Sequence, residues 1–206
     1  MVLNDIEWLF FDIGSTLVDE SKCYENRYLK AIQDTDITYD ELLDKVVEFS
    51  KQNRNGDHPA IEYFGLKLPK WDKESERLYP DTALVLSELS KKYHIGIIAN
   101  QSLGTEGRLD KWGILKYIDL VVASAEEGVA KPNPDIFKIA LSKAECSEHN
   151  AVMIGDRIDN DIVPAKTIGM KTIWIRQGFA CYQQPRNDFE TADFTVDTLT
   201  QLLNIL

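Results

Sequence analysis

Short, continuously apolar runs alternate along the chain with longer stretches whose apolar positions recur every three or four residues. The runs Glu7–Phe11, Ile95–Ala99, Leu120–Ala123, Ala151–Ile154 and Lys171–Ile175 predict β-strands, with a weaker one at Phe194–Val196. Apolar residues on consecutive positions mark strands buried on both faces, the pattern of a parallel sheet covered by helices. The segments between them have readable helix ends. Asp81 opens a helix with Leu84, Val85, Leu89 and Tyr93 mostly inward. Asn133 and Pro134 open another, with Ile136, Phe137, Ala140 and Leu141 as its buried stripe. The stretch after Asp161 stops at Gly169, and Asp197 caps a last helix carrying Leu199, Leu202 and Leu203.

More than 80 residues separate the first two strands of this series, too many for a single crossover. Tyr24–Asp34 reads as a helix. Thr38 and Glu41 form a capping box ahead of Leu42, Leu43, Val46, Val47 and Phe49. Gly56–Pro59 reads as a break and Ile61–Leu66 as a short third helix. The fold class expected is α/β: a Rossmann-like parallel sheet with helices on both faces, plus an inserted α-helical cap. Residues 1–18 and 80–206 would form the core and 19–79 the cap.

Composition narrows the function classes. A hydrophobic content of 44% supports a packed core, and 28% charged residues is ordinary for a soluble domain. Against 23 Lys and Arg stand 34 Asp and Glu, a net charge of −11 that disfavours nucleic acid or an anionic membrane as partner. No apolar run approaches the roughly 20 residues of a membrane helix. The first residues lack the basic-then-apolar pattern of a leader, so a cytoplasmic location is expected. Cys23, Cys146 and Cys181 are odd in number and far apart, which fits reduced thiols rather than a disulfide framework or a zinc site.

Three segments carry candidate chemistry. FFDIGSTL places Asp12 just past a buried strand, where open α/β sheets bind ligands; a simple turn cap is the bland alternative. GVAKPNPDIF holds Lys131 beside prolines, where an ammonium could neutralise a carboxylate or phosphate rather than wander in solvent. VMIGDRIDND puts Asp156, Asp159, Asn160 and Asp161 at another strand end. Clustered carboxylates repel one another unless a cation sits among them, and oxygen ligands without nearby His or Cys favour Mg²⁺ over zinc. A solvated acidic turn capping the next helix is the competing reading, especially for Asp159 and Asn160.

Together, and in this order, the three segments resemble the haloacid dehalogenase-like superfamily, in particular members with a small helical cap. The aliphatic run before Asp12, the KPNP around Lys131, and GDRIDND followed by PAKTIGM carry the resemblance. It implies that Asp12 attacks phosphorus and becomes an aspartyl phosphate. It further implies Mg²⁺ held by Asp12, the Gly14 backbone carbonyl and Asp156, with Asp161 in support. Lys131 would bridge Asp12 and the phosphoryl oxygens, and Ile13, Gly14 and Asn100 would line the substrate site. The expected substrate is a small phosphorylated metabolite.

Two positions depart from that pattern. Phosphatases of the superfamily usually carry a second Asp two residues after the nucleophile, as acid and base; here stands Gly14. A positioned acid/base typically contributes about 10²–10⁴-fold. The second strand usually ends in a Ser or Thr hydroxyl for phosphate, and here it ends in Ala99 followed by Asn100. Asp159, Glu126, Glu127 and His58 are conceivable replacements for the acid/base, with nothing in the spacing to choose among them. A slow phosphatase, a catalytically impaired ligand- or partner-binding member, and a phosphonate- or halide-cleaving hydrolase therefore all stand open.

Overall fold

The computed structural model describes residues 5–206. In chain order the strands are β1 (Trp8–Phe11), β2 (Val18–Asp19), β3 (Arg77–Leu78), β4 (His94–Ala99), β5 (Leu120–Ala123), β6 (Ala151–Gly155), β7 (Lys171–Ile175) and β8 (Phe194–Val196). The helices are α1 (Ser21–Ile32), α2 (Tyr39–Ser50), α3 (Asp57–Tyr63), α4 (Thr82–Leu89), α5 (Thr105–Lys111), α6 (Ser124–Glu127), α7 (Asp135–Lys143) and α8 (Val163–Thr167). Six strands form one parallel sheet in the order β5-β4-β1-β6-β7-β8. The chain first builds outward from β1 through β4 and β5, then returns to the other side of β1 for β6, β7 and β8. That reversal opens a crevice at the carboxyl ends of β1, β4 and β6.

β1 is apolar at every position because each of its faces meets helices. Leu9 and Phe11 pack with Val85, Leu86 and Leu89 of α4 and with Leu199 and Leu202. Trp8 and Phe10 point the other way, onto Ile136, Phe137 and Ala140 of α7 and Met153 of β6. The alternation is the two-residue period of a strand, read twice over. Leu84 on α4, expected inward, is 57% exposed, because the helix rolls Val85, Leu86 and Leu89 onto the sheet instead. Asp81 does not cap α4; its carboxylate accepts from the Thr200 amide at 2.9 Å and hydroxyl at 2.7 Å, tying the C-terminal turn to the sheet layer. Asp197 likewise pairs with Arg176 rather than capping, and residues Leu199–Asn204 wind as tight three-residue turns.

Helices α1, α2 and α3 gather around their own apolar cluster, centred on Tyr28, Leu42, Val46, Ala60 and Ile61. The chain enters and leaves them through a two-stranded antiparallel ribbon, β2 against β3. The capping box of α2 is present: Thr38 accepts from the Glu41 amide at 3.2 Å, and Glu41 accepts from the Thr38 amide at 2.8 Å. α3 begins at Asp57 and takes in Pro59, within the stretch expected to be a break. A proline in the first turn removes only an N–H that has no partner inside the helix anyway. Among the described residues no helix is long and apolar enough to cross a membrane.

Phe10 is fully buried beneath α7, so Phe10→Ala should cost about 3–5 kcal/mol of folding stability. Thr38→Ala, which removes only the α2 cap, should cost about 1 kcal/mol. Denaturant midpoints of the two variants give the comparison, and equal losses would contradict this account of the core.

Candidate active site

The register of the sheet brings the acidic positions together. Phe11 pairs with Ile154, and the Asp12 amide donates to the Ile154 carbonyl at 2.9 Å. Asp12 thus leaves β1 level with the end of β6, one step from Asp156. Past Asp156 the chain makes a wide turn over Ile158–Ile162, in which the Ile162 amide reaches back five residues to the Arg157 carbonyl at 3.3 Å. The regular helix α8 begins only after it, at Val163. The wide turn folds Asp161 back over the strand end, so that a Cβ on Gly155 would stand only 2.4 Å from the Asp161 Cγ. Glycine at 155 is the condition for that approach. Widened turns of this kind recur at functional sites.

Asp12, Asp156 and Asp161 each bring a carboxylate oxygen within 4.8 Å of the others, the one such acidic group among the described residues. Asp161 is wholly buried, and Asp12 and Asp156 nearly so. The Lys131 ammonium, also buried, lies 2.8 Å from Asp12 Oδ1 and 2.6 Å from Asp161 Oδ1. Asp161 Oδ2 accepts from the Arg157 amide at 3.0 Å, and the Thr16 hydroxyl donates to Asp156 Oδ1 at 3.4 Å. Burial pushes the Asp156 carboxyl well above the usual carboxylate range, with Asp161 and Asp12 adding to the rise. Asp161 is pushed up to about 6 by burial, against the pull of Lys131. Burial works against the charge on Lys131, but Asp12 and Asp161 outweigh it and hold the ammonium above its ordinary value. Three carboxylates against one ammonium leave a negative excess that a divalent cation would satisfy. Opposite oxygens around Mg²⁺ stand about 4.2 Å apart, within this spacing.

Lys131 is held from behind by Asn100. The Asn100 side-chain amide donates to the Lys131 carbonyl at 2.8 Å, and its oxygen accepts from the Lys131 amide at 2.8 Å. The Asn100 carboxamide is therefore engaged with the lysine loop, and what it offers a ligand is its place in the wall of the site. Ala99 is buried at the end of β4. The Ile13 side chain lies in the core beneath the sheet, which leaves only its backbone on the site's side. Asp12, Gly14, Asn100, Asp156, Arg157 and Asn160 line a cavity of about 160 Å³, together with Tyr24 and Asn55 of the helical insertion.

None of the four conceivable acid/base residues faces this cavity. Asp159 pairs with Arg157 and accepts from Gln183 at 2.9 Å. Glu126 accepts from the Gly104 amide at 2.9 Å, and Glu127 pairs with Lys143. His58 is exposed beside Asp57. Two carboxyls that the sequence reading missed do face it, Asp57, which pairs with Arg27, and Glu20. The chain turns back after Gly14, with the Leu17 and Val18 amides donating to the Ile13 carbonyl, and this returns Glu20 to the level of Gly14. Ser15, in left-handed backbone at φ 53°, donates its hydroxyl to Glu20 Oε2 at 3.0 Å. Burial pushes the Glu20 carboxyl up to about 8, against the Ser15 hydrogen bond and with Asp12 and Glu76 adding to the rise. A glycine at 14 with an acidic residue just past the turn was the available signal; six residues of separation alone do not fix a meeting.

The family model described as haloacid dehalogenase-like hydrolase matches residues 9–175. A glyceraldehyde 3-phosphate phosphatase of Pyrococcus furiosus is 32% identical, the alignment covering 99% of this chain and 94% of that protein. The protein of the same name from Methanopyrus kandleri is 30% identical over 98% and 97% of the two chains. The crystal structure of a HAD phosphatase from Thermococcus onnurineus superposes with a TM-score of 0.67 at 26% identity, covering 97% of each chain. The chain belongs to the haloacid dehalogenase-like hydrolases.

Proposed function

We propose that this chain is a Mg²⁺-dependent phosphatase of small phosphorylated metabolites, with Asp12 as the nucleophile. One observation carries the reading. A carboxylate at the end of the central strand sits 2.8 Å from a buried ammonium and shares an all-oxygen cluster with two further carboxylates. The relatives named as glyceraldehyde 3-phosphate phosphatases support the substrate class. So does the cavity, whose volume of about 160 Å³ is below the range of drug-sized ligand sites.

The donors fit Mg²⁺: they are hard oxygens, closely spaced, and otherwise under-neutralised. Asp12, Asp156 and Asp161, with the Gly14 carbonyl, would hold the ion. When bound, it supplies positive charge that offsets repulsion between the Asp12 carboxylate and an incoming phosphate. Asp12 attacks phosphorus in line, and the aspartyl phosphate that forms is then hydrolysed. Lys131 bridges Asp12 and the phosphoryl oxygens, so that charge moving onto them is met by a group already in place. The loop through Ile13 and Gly14, together with Asn100, positions the phosphoryl group; with Ala99 in place of a hydroxyl, about 0.5–1.5 kcal/mol of phosphate contact is absent. Residues 19–79 act as a cap that excludes water and reads the rest of the substrate.

Asp12→Asn should reduce hydrolysis of para-nitrophenyl phosphate to background while leaving the far-UV circular dichroism unchanged; undiminished turnover would refute the nucleophile. Mg²⁺ at about 100 times its Kd should add about 2.7 kcal/mol to stability, a rise in Tm of about 5–10 °C. Scanning calorimetry of Asp156→Asn should show most of that rise gone. Lys131→Met should cost about 3–5 kcal/mol at neutral pH, because it strips the cluster of its buried cation. In that variant the folded carboxyls hold protons that the unfolded chain has released, so stability should recover as pH falls from neutral into the ordinary carboxylate range. A Lys131→Met loss that grows on acidification would contradict the electrostatic role.

A further inference from the structure

We propose that Glu20 is the acid/base residue of this enzyme, its carboxyl standing where a side chain at position 14 would otherwise reach. The inference rests on the phosphatase reading above and adds the group that Gly14 leaves out. A Cβ built on Gly14 would lie 2.7 Å from Glu20 Oε1 and 2.9 Å from Oε2. The space beside Gly14 is therefore not empty; it is filled by a carboxyl arriving from the stem of the helical insertion. That carboxyl lines the same cavity as Asp12 and Asp156. Its aim is set by the Ser15 hydroxyl at 3.0 Å, from the residue next to Gly14 itself. Asp159 pairs with Arg157, and Asp57 pairs with Arg27 through Oδ2; it is the Glu20 carboxyl that stands nearest to Gly14.

The step balances without any further reagent than water. Asp12 forms a bond to phosphorus as the bond to the leaving oxygen breaks. The departing oxygen takes the electron pair and the proton of the Glu20 carboxyl. A water then attacks the aspartyl phosphate, Glu20 takes its proton, and the Asp12 carboxylate leaves with the electron pair of the broken bond. Glu20 ends protonated, as it began. Gly14→Asp alone would press a second carboxyl into Glu20 and should lower turnover rather than raise it.

The test separates the two chemical steps. Para-nitrophenolate leaves without a proton, so Glu20→Gln should keep a burst of one para-nitrophenolate per active site. Its steady-state turnover should fall about 10²–10⁴-fold. With an alkyl phosphate, whose leaving oxygen needs the proton, no burst of alcohol should be seen. Glu20→Ala should show the same loss, and Gly14→Asp combined with Glu20→Ala should regain at least tenfold of it, because the carboxyl returns to the same place from the other residue. A structural role for Glu20 would not be rescued from position 14. Normal turnover in Glu20→Gln, in an enzyme whose hydrolysis depends on Asp12, overturns the role of Glu20 alone. A lost burst that higher Mg²⁺ restores would place Glu20 on the ion and also overturn it. Wild-type enzyme without Asp12-dependent hydrolysis removes both readings together.

Discussion

Like charges crowded at the ends of two adjacent strands are the constraint on which the rest of this structure depends. Asp12, Asp156 and Asp161 are all buried, and ionised carboxylates in that setting are tolerated only with compensating charge. Lys131 supplies part of it, wedged between Asp12 and Asp161. The surroundings are arranged to keep that ammonium still. Asn100 clamps the lysine's backbone on both its amide and its carbonyl, and Asp161 is fixed by the Arg157 amide. A residue from the end of β4 thereby holds a loop before α7, which in turn neutralises groups on β1 and beyond β6. Four separate segments are bound into one electrostatic unit.

The sheet provides what such a unit needs. Parallel strands with β1 in the middle align their carboxyl ends, so that residues far apart in the chain leave the sheet at one level. The apolar layers on both faces make that alignment rigid, since a shift of one residue would exchange Leu9 and Phe11 for Trp8 and Phe10 on opposite sides. Stability and chemistry share a register. The negative excess left at the top of the sheet is what a cation would relieve.

The helical insertion touches this centre at two kinds of contact. Tyr24 of α1 stacks edgewise on Phe179, with ring centres 5.1 Å apart, and Asn53 donates to the Gln184 carbonyl at 2.7 Å. These contacts seat the helices on the sheet domain beside the cavity. Glu20 is different in kind, because it lies at the point where the β2 ribbon passes into α1. A displacement of α1 would carry its carboxyl with it. Position and chemistry are coupled there through a single residue of the connection.

The sequence by itself determined the architecture. Runs of consecutive apolar residues such as Trp8–Phe11 have few homes other than a doubly covered parallel strand, and the predicted strands fall within a residue of those observed. It also marked Asp12, Lys131 and Asp156, which the fold brings into one cluster, because charge beside a buried strand end demands a reason. Tertiary structure alone decided the rest. The Asn100 clamp, the wide turn that returns Asp161, and the rotation that exposes Leu84 depend on contacts between segments distant in the chain. So does the meeting of Glu20 with Gly14, where an absent side chain and a present one share a single space. Local patterns report periodicity and burial; the filling of a particular volume is a property of everything that surrounds it.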